Sequence, residues 1–404
     1  MRRLGDCAVL APILLALVFS LSPREACPTD GAGSRTHHFP EPDSLKPNVA
    51  FWEQIYTAYG IGDFVLHDRE RLGVIYAVVR VTGTTDPVRA ADLAKPEVQR
   101  LRARYRDVLS ALAAGVPPDA LGPDGRMLWR VWACPCTPDE LRRAAGGIRV
   151  QQGLRQKVDE GIQRAQALLP RIRSILQEHD VPVELAALPL VESTYNPRAH
   201  SKAGAVGLWQ FIRSTGKKYL TITRGRDDRR DPLLATKAAA RLLRHNYEAL
   251  GSWPLAIVAY NHGREGVLTA RAVVGSSAIE DIVARYTGPR FGFASKNFYA
   301  EFLAALKVVR PFLIGREAHG GAGNRRRPGE RAMPSAPLSP GIEAAVPVSP
   351  IPGTPGESRP TTEAPLPHTD QTRADGGTDP KAMFEPPDPP AAAIDTSPDA
   401  SGEF

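Results

Sequence analysis

The stretch of sequence that decides the fold is residues 188–210, which read LPLVESTYNPRAHSKAGAVGLWQ. Glu192 stands at the end of its apolar run, and Asn196–Pro197 stops any helix shortly afterwards. Because apolar neighbours disfavour the charged form of a carboxyl group, we expect the pKa of Glu192 to be raised, as a general acid near neutral pH requires. Gly204 and Gly207 then allow a turn in which the backbone and a bound molecule come close. Taken alone, the same residues also fit a partly buried glutamate at a helix end beside an ordinary loop.

Three ordered blocks connect this stretch to a known family: Glu192-Ser193, then GLWQ at residues 207–210, then AYN at residues 259–261. Together they resemble the lytic transglycosylase (SLT) domain, which has a lysozyme-like fold. The Trp within GLWQ and the block DRRDP at residues 228–232 are similar to the membrane-bound lytic murein transglycosylase D group. The resemblance covers residues 148–310, so it concerns the middle of the chain.

The resemblance implies an enzyme that cleaves peptidoglycan, at the β-1,4 bond between N-acetylmuramic acid and N-acetylglucosamine. The cut needs no water and leaves a 1,6-anhydromuramyl end, as in cell-wall remodelling. Glu192 would be the catalytic residue, first as the acid on the bridging oxygen and then as the base for the muramyl C6 hydroxyl that attacks C1. The resemblance implies no cofactor and no metal. It assigns substrate binding to Ser193, Gln210, Tyr260, Asn261, Asn297 and Tyr299.

Several of these residues also have ordinary structural interpretations. Gln210 fits loop packing, Tyr260 fits a buried phenol that satisfies its own hydroxyl, and Asn261 fits a cap at a helix end. Ser193 fits a polar residue at the end of a helix. Trp209 is expected in the core rather than as a platform for a sugar ring, because large aromatic side chains are usually well buried.

Two functions of another kind stay open. A goose-type lysozyme keeps the fold and Glu192 but lets water attack, which gives a reducing end. A non-catalytic peptidoglycan-binding protein keeps the cleft without turnover. Hydrolysis would need a second working carboxyl group, and the other acids between Glu192 and Tyr260 stand in no context typical of one. They are Asp227, Asp228, Asp231 and Glu248.

The beginning of the chain predicts export. Met1–Arg3 is basic, and the uncharged run Cys7–Pro23 is too short and too proline-marked for a comfortable membrane span, so we interpret residues 1–26 as a signal peptide. An uncleaved anchor is the alternative. Arg24–Glu25 argues against lipid attachment at Cys27. We therefore expect transport across the inner membrane of a bacterium, with the protein in the periplasm or associated with the envelope.

The 404 residues, 42% of them apolar, are enough for one or two domains with sizeable cores. Residues 72–81 (LGVIYAVVRV) fit a short strand or a buried helix, whereas the pattern at residues 148–180 predicts one long helix. We expect a mainly α protein whose catalytic part is all-α. Its predicted segments after the signal peptide are a linker (27–46), a mostly helical region (47–147), the SLT catalytic domain (148–314) and a disordered Pro-rich tail (315–404).

The net charge is +7, and residues 198–245 contain twelve Lys and Arg against three Asp. An excess of this kind fits an anionic wall polymer, a membrane surface or simply an exposed helix face, and no aromatic-interleaved nucleic-acid motif accompanies it. The expected partners are therefore peptidoglycan glycan strands and either the envelope membrane or divisome and wall-synthesis proteins, with no nucleic acid. Cys134-Pro-Cys136 lacks the spacing of a zinc site, and a disulfide from Cys27 to one of this pair is an alternative.

Overall fold

The computed structural model describes residues 38–132, 136–313 and 342–346, the last of these as backbone only. These residues belong to one compact unit that begins at His38. The predicted signal peptide, most of the linker and most of the tail lie outside the described residues. Within them, no helix is both long enough and apolar enough to cross a bilayer.

Three strands from the N-terminal half of the described chain and one from residues 342–346 form a four-stranded antiparallel sheet. Its order is β3-β1-β2-β4, and Val65 of β1 stands opposite Val78 of β2. Both central strands are almost entirely buried, which explains why the run at residues 72–81 is nearly all apolar rather than alternating. That run therefore forms a strand. The strands are β1 (Asp63–Asp68), β2 (Ile75–Val81), β3 (Ile148–Gln152) and β4 (Ile342–Val346).

Three helices cover one face of this sheet. They are α2 (Pro87–Ala113), α3 (Gly122–Trp132) and α4 (Pro138–Gly146), and their apolar faces share a core with Phe64 and Leu66 of β1. Asp86 caps α2 by accepting the backbone N–H of Val88 at 2.8 Å. The prediction of a mostly helical region is confirmed, and these helices form one layer of a helix-and-sheet unit.

The other face of the sheet belongs to a larger core made by helices. Val65 and Val78 contribute to it from the sheet. From residue 155 to residue 313 the described chain contains no strand of the sheet, so the prediction of an all-α catalytic part is confirmed. The helices are α1 (Lys46–Thr57), α5 (Arg155–Glu178), α6 (Leu188–Ser193), α7 (Arg213–Lys217), α8 (Pro232–Leu250), α9 (Trp253–His262), α10 (Arg264–Val274), α11 (Ile279–Arg285) and α12 (Phe293–Leu313).

The predicted division at residue 147 does not coincide with a structural boundary. Helix α1 packs along α12, where Asn48 Nδ2 donates to Asn297 Oδ1 at 3.1 Å. The helix predicted from residue 148 begins only at Arg155, because residues 148–152 form the edge strand β3. Both ends of the N-terminal region are therefore built into the same body as the catalytic helices.

The sequence signals for helix ends have mixed outcomes. Asp231 caps α8 by accepting the N–H groups of Leu233 and Leu234 at 2.8 and 2.9 Å, as its place before a proline predicts. A proline inside a helix normally breaks or kinks it, yet α5 continues through Pro170. Leu169 and Ile172 beside it are buried in the core, and packing of this kind overrides the local penalty of about 3 kcal/mol.

Strand β4 changes the interpretation of the predicted disordered tail. Ile342–Val346 pairs antiparallel with β2, with Ile342 opposite Val81 and Glu343 opposite Arg80. An exposed strand edge offers unpaired N–H and C=O groups, and a short added strand satisfies them at little cost in side-chain burial. The prediction of disorder from residue 315 onward is therefore wrong for this segment. The rest of that tail lies outside the described residues.

The cysteines are only partly described. Cys136 is disulfide-bonded. Cys27 and Cys134, the other residues of the predicted pairing, lie outside the described residues.

Truncation tests the contribution of β4. We expect deletion of residues 348–404 to leave the free energy of unfolding unchanged, and deletion of residues 315–404 to lower it by about 1–2 kcal/mol, since β2 then loses a few net hydrogen bonds. Urea melts of the two truncated proteins beside the full chain measure this difference. Equal melts for both truncations would mean that β4 contributes nothing to stability.

Candidate active site

Glu192 lies near the end of the short helix α6. A turn of 3-10 helix (Val183–Ala187) leads into α6, and Pro189 occupies the first turn of the new helix, where a missing N–H costs nothing. The helix type therefore changes at Leu188, shortly before the acid. Because α6 starts here, Pro189 can lie three residues before Glu192 without strain.

The chain leaves α6 through two consecutive left-handed residues. Thr194 and Tyr195 have φ values of 49° and 54°, a conformation that costs about 1–2 kcal/mol for residues with a Cβ. Their N–H groups close the helix on Leu190 and Pro189 at 3.0 and 2.9 Å. The Tyr195 side chain is fully buried and its hydroxyl donates to the Ala186 carbonyl at 2.5 Å. This anchor fixes the helix end at which Glu192 is presented.

The carboxyl group of Glu192 is buried, and neither Oε1 nor Oε2 has a hydrogen-bond partner among the described residues. Burial raises its pKa well above the ordinary value, and the charge of Glu301 raises it further. The expectation of a raised pKa is therefore confirmed. Burial thus favours the protonated form of this carboxyl, whose proton and lone pairs are free for a bound molecule.

A tight loop carries the chain from Ala199 back to Gln210. Gly207 has a φ of 83°, and a Cβ at this position would lie 1.9 Å from the carbonyl oxygen of Arg229. Only glycine allows both the backbone conformation and this close approach. Gly207 is therefore required by packing between two backbones.

Arg229 fastens this loop, and the sequence reading missed it. Its guanidinium binds both carboxylate oxygens of Asp227, at 2.9 and 2.7 Å, and donates through Nη1 to the carbonyls of Gly204 and Phe211 at 3.0 Å. The Arg229 hydrogen bonds also lower the pKa of Asp227. A buried arginine with four such bonds holds both ends of the loop in one geometry. Arg229 belongs to the DRRDP block (residues 228–232), and this is the feature of the sequence that could have indicated its role.

Ser193 and Gln210 support the loop rather than face a cleft. The Ser193 hydroxyl donates to the Leu208 carbonyl at 2.8 Å and thereby ties α6 to the loop. Gln210 is buried, has a φ of 47°, and donates through Nε2 to the Gly207 carbonyl at 2.8 Å. For Gln210 the structure favours loop packing over a direct hydrogen bond to substrate.

Tyr260 lies beside Glu192 at the end of α9. Its hydroxyl donates to the Trp209 carbonyl at 2.7 Å, so its oxygen lone pairs remain available as acceptors. The charge of Glu192, after burial, contributes to a pKa of Tyr260 well above its ordinary value. Trp209 itself is fully buried and donates to Thr236 at 2.8 Å, as predicted for a core residue.

The other three predicted substrate-binding residues are buried. Asn261 accepts from Ser295 at 3.1 Å, while its Nδ2 has no partner among the described residues. Asn297 bridges Asn48 and the Phe293 carbonyl. Tyr299 is fully buried and donates to the Pro40 carbonyl at 2.7 Å. Sugar binding by Asn297 and Tyr299 stays a prediction; in the structure their polar groups hold α12 to the start of the described chain.

A second acid near Glu192 comes from a part of the chain that the sequence reading did not search. Glu301 of α12 has its pKa raised to about 8 by burial, and its charge acts on both Glu192 and Tyr56 of α1. Glu301 lies beyond residues 192–260, the span whose acids were considered as a second carboxyl group. Across the described residues no group of three or more His, Cys, Asp or Glu is arranged to hold a metal ion.

Substitution of Arg229 tests whether its four hydrogen bonds, here called the Arg229 clamp, stabilise the loop. Arg229→Ala leaves the Asp227 carboxylate without its partner, so we expect a loss of about 3 kcal/mol in the free energy of unfolding, since that carboxylate is only partly exposed. Arg224→Ala, at an exposed position in the same segment, is the matched control and should cost under about 0.5 kcal/mol. Chemical denaturation of both variants provides the comparison, and equal losses would contradict the clamp.

Comparison with known proteins identifies the domain that contains this site. A family model for the transglycosylase SLT domain matches residues 172–283, which include Glu192, Arg229 and Tyr260 but not Glu301. The putative tributyltin chloride resistance protein of Alteromonas sp. (strain M-1) is 33% identical over 117 residues, 28% of this chain and 56% of that protein. Membrane-bound lytic murein transglycosylase F of Aeromonas salmonicida (strain A449) is 28% identical over 171 residues, 35% of this chain and 33% of that protein.

Membrane-bound lytic murein transglycosylase D of Escherichia coli (strain K12) is 41% identical over 109 residues, which are 26% of this chain and 24% of that protein. The chain thus spans about a quarter of the length of the first curated relatives that it matches. The chain therefore carries a transglycosylase SLT domain and is similar, over that domain, to the lytic murein transglycosylases.

Proposed function

We propose that the protein is a peptidoglycan lytic transglycosylase that cleaves the bond between N-acetylmuramic acid and N-acetylglucosamine and leaves a 1,6-anhydromuramyl end. One observation carries the proposal. The matched SLT region holds the carboxyl of Glu192, which is buried, has no hydrogen-bond partner for either oxygen among the described residues, and has its pKa raised by burial. Such a group is prepared to give its proton to a bound sugar and to take one back.

The first step uses the proton on Glu192. It moves to the glycosidic oxygen as the bond from muramyl C1 to that oxygen breaks, and positive charge develops at C1. The substrate's own N-acetyl group stabilises that charge. Tyr260 can accept a hydrogen bond from the acid or from the acetamido N–H, because its own proton is held by the Trp209 carbonyl.

The second step uses the carboxylate that the first step leaves behind. Glu192 takes the proton of the muramyl C6 hydroxyl while O6 forms a bond to C1, so the acid is regenerated and no water is consumed. The apolar surroundings help here, since a buried carboxylate without partners is a strong base. One residue thus serves both halves of the reaction.

The hydrolytic alternative requires a second group that is ionised near neutral pH. Among the described acids, Glu301 is the one whose charge raises the pKa of Glu192, which makes it the candidate for this second group. Burial, however, raises the pKa of Glu301 itself to about 8. A mainly protonated carboxyl is neither a nucleophile nor a base for water. This argues for the non-hydrolytic cut over a goose-type lysozyme reaction.

The same proposal includes a place of action. The relatives named as membrane-bound transglycosylases suggest association with the bacterial envelope, and a disulfide-bonded Cys136 is typical of an oxidising compartment. We therefore propose export to the periplasm, with peptidoglycan glycan strands as substrate. Membrane or wall-synthesis partners remain part of the proposal.

Replacing Glu192 by Gln tests the proposed function. The variant keeps the size of the side chain but removes both proton donor and base, so we expect a loss of activity at or beyond the upper end of roughly 10²–10⁴-fold. Mass spectrometry of muropeptides released from purified peptidoglycan measures both rate and product. Wild-type fragments should be lighter by one water than those from lysozyme.

Stability supplies a second readout for Glu192→Gln. The raised pKa of Glu192 means that the native state binds its proton more tightly than the unfolded chain, so its contribution to stability declines as pH rises above about 4.5. The variant should therefore melt higher than wild type at neutral pH, and the gain should fade in acid. Glu248→Gln, which only removes an exposed ion pair with Arg244, is the control. Reducing ends from wild type, or full activity in Glu192→Gln, would contradict the proposal.

A further inference from the structure

The solvent face of helix α8 carries a line of basic side chains. Lys237, Arg241 and His245 are exposed and follow one another at intervals of four residues, so they lie along one side of the helix over about 12 Å. We call these three residues the basic stripe. In the described part of the chain none of the three forms an ion pair with a carboxylate, whereas Arg244 beside them pairs with Glu248 at 3.0 Å. The charges of the stripe are therefore open to an anionic partner.

Tyr219 connects the basic stripe to the end of helix α7. The Arg241 guanidinium carbon lies 5.3 Å from the centroid of the Tyr219 ring, and the Tyr219 hydroxyl lies 3.2 Å from Nδ1 of His245. The exposed residues Lys217 and Lys218 directly precede Tyr219 in the chain. The two lysines and the basic stripe therefore belong to one basic surface with a half-buried phenol in it.

The acids of this segment do not cancel the charge of that surface. Residues 217–248 contain nine Lys and Arg against four acids. Three of the acids are held in ion pairs by other arginines of the segment, and the fourth, Asp231, caps α8. The ion pairs are Asp227 with Arg229, Asp228 with Arg226 and Glu248 with Arg244. The excess positive charge therefore remains with the basic stripe and its surroundings.

The basic stripe lies on the side of α8 that faces away from the loop beside Glu192. Thr236 marks the inner side of the helix, since its hydroxyl accepts the indole N–H of Trp209 at 2.8 Å. With 3.6 residues in each turn, Arg241 and His245 lie about 140° and about 180° around the helix from Thr236. A flat partner bound to the stripe therefore leaves the loop and Glu192 uncovered.

The shape and chemistry of this surface fit a layer of phosphate groups. The side of a helix is a ridge, on which long basic side chains can each reach a separate lipid headgroup. Each Lys or Arg near an anionic membrane strengthens binding about fivefold, and a tyrosine with a buried ring and a polar end is typical of a membrane–water interface. A single polymer strand is instead usually bound in a groove with open aromatic faces, whereas Arg241 occupies one face of the Tyr219 ring.

We propose that the basic stripe, together with Lys217 and Lys218, docks the protein on the anionic phospholipid surface of the bacterial membrane. The docking is peripheral and electrostatic, and it directs the loop beside Glu192 away from the membrane. The proposal rests on the proposed place of action at the envelope. It adds the surface and the lipid chemistry through which the protein is held there.

Binding to vesicles tests the docking. Sedimentation of the full-length protein is measured with vesicles of phosphatidylcholine that contain phosphatidylglycerol and with vesicles of phosphatidylcholine alone. The ratio of the two partition coefficients removes any binding through the apolar run Cys7–Pro23, which both vesicles share. For wild type we expect a ratio of at least about tenfold at low salt. It should fall towards one at about 1 M salt, where charges are screened beyond about 3 Å.

Two double variants with the same change in net charge locate the binding surface. Lys237→Glu/Arg241→Glu should lower the ratio at least about tenfold, since each basic residue contributes about fivefold. Arg89→Glu/Arg130→Glu changes exposed positions of α2 and α3 and should stay within about threefold of wild type. Lys237→Arg/Arg241→Lys keeps both charges and should keep the ratio. A wild-type ratio near one, or equal losses in the two Glu variants, would overturn the docking.

Two further measurements separate the membrane from the wall, and the docking from the reaction. If Lys237→Glu/Arg241→Glu loses sedimentation with purified peptidoglycan but keeps the vesicle ratio, the stripe binds the wall and the docking is overturned. Glu192→Gln should show the wild-type ratio, because docking needs no turnover. The vesicle ratio therefore decides the docking whatever the reaction products are, and those products decide the proposed function whatever the ratio is.

Discussion

The Glu192 carboxyl is held out of water, and no described residue makes a hydrogen bond to either oxygen, a state that costs about 1–3 kcal/mol even in the neutral form. The surrounding structure has to maintain it. Three hydrogen bonds hold the surfaces around it in place: Tyr195 to Ala186 below α6, Ser193 to Leu208 across to the loop, and Tyr260 to Trp209 from α9. Each joins a side chain to a backbone carbonyl, so the positions are set by the fold and not by loose surface contacts.

The loop around Gly207 contributes through its backbone, and this explains its composition. Gly207 meets the Arg229 carbonyl at a distance that excludes a Cβ, while the Arg229 side chain holds the carbonyls of Gly204 and Phe211. Gln210, in a left-handed conformation, turns its amide inward to the Gly207 carbonyl. In the structure, Gly207 and Gln210 of the GLWQ block thus contribute mainly to the fixed backbone geometry of the loop next to α6.

The sequence predicted the parts of the site whose signal is local. An acid at the end of an apolar run, a glycine turn, an N-cap at Asp231 and a helix ending near Tyr260 all rest on a few adjacent residues, and the structure has each of them. The contacts of Asn297 and Tyr299 could not be predicted because their partners, Asn48 and Pro40, are about 250 residues away in the chain. Contacts at that separation leave no periodic or local pattern in one sequence.

The antiparallel sheet and the second acid both depend on tertiary packing, which a single sequence does not show. The strand at Ile75–Val81 is buried on both faces, so it shows no alternation and cannot be told from a buried helix. Burial raises the pKa of Glu301, and a glutamate in an amphipathic helix is otherwise expected to be solvated. The N-terminal region therefore does more than precede the catalytic helices. By supplying α1, whose Tyr56 shares a core with Leu188 and Leu190 of α6, it contributes to the low-dielectric surroundings that favour the protonated form of Glu192.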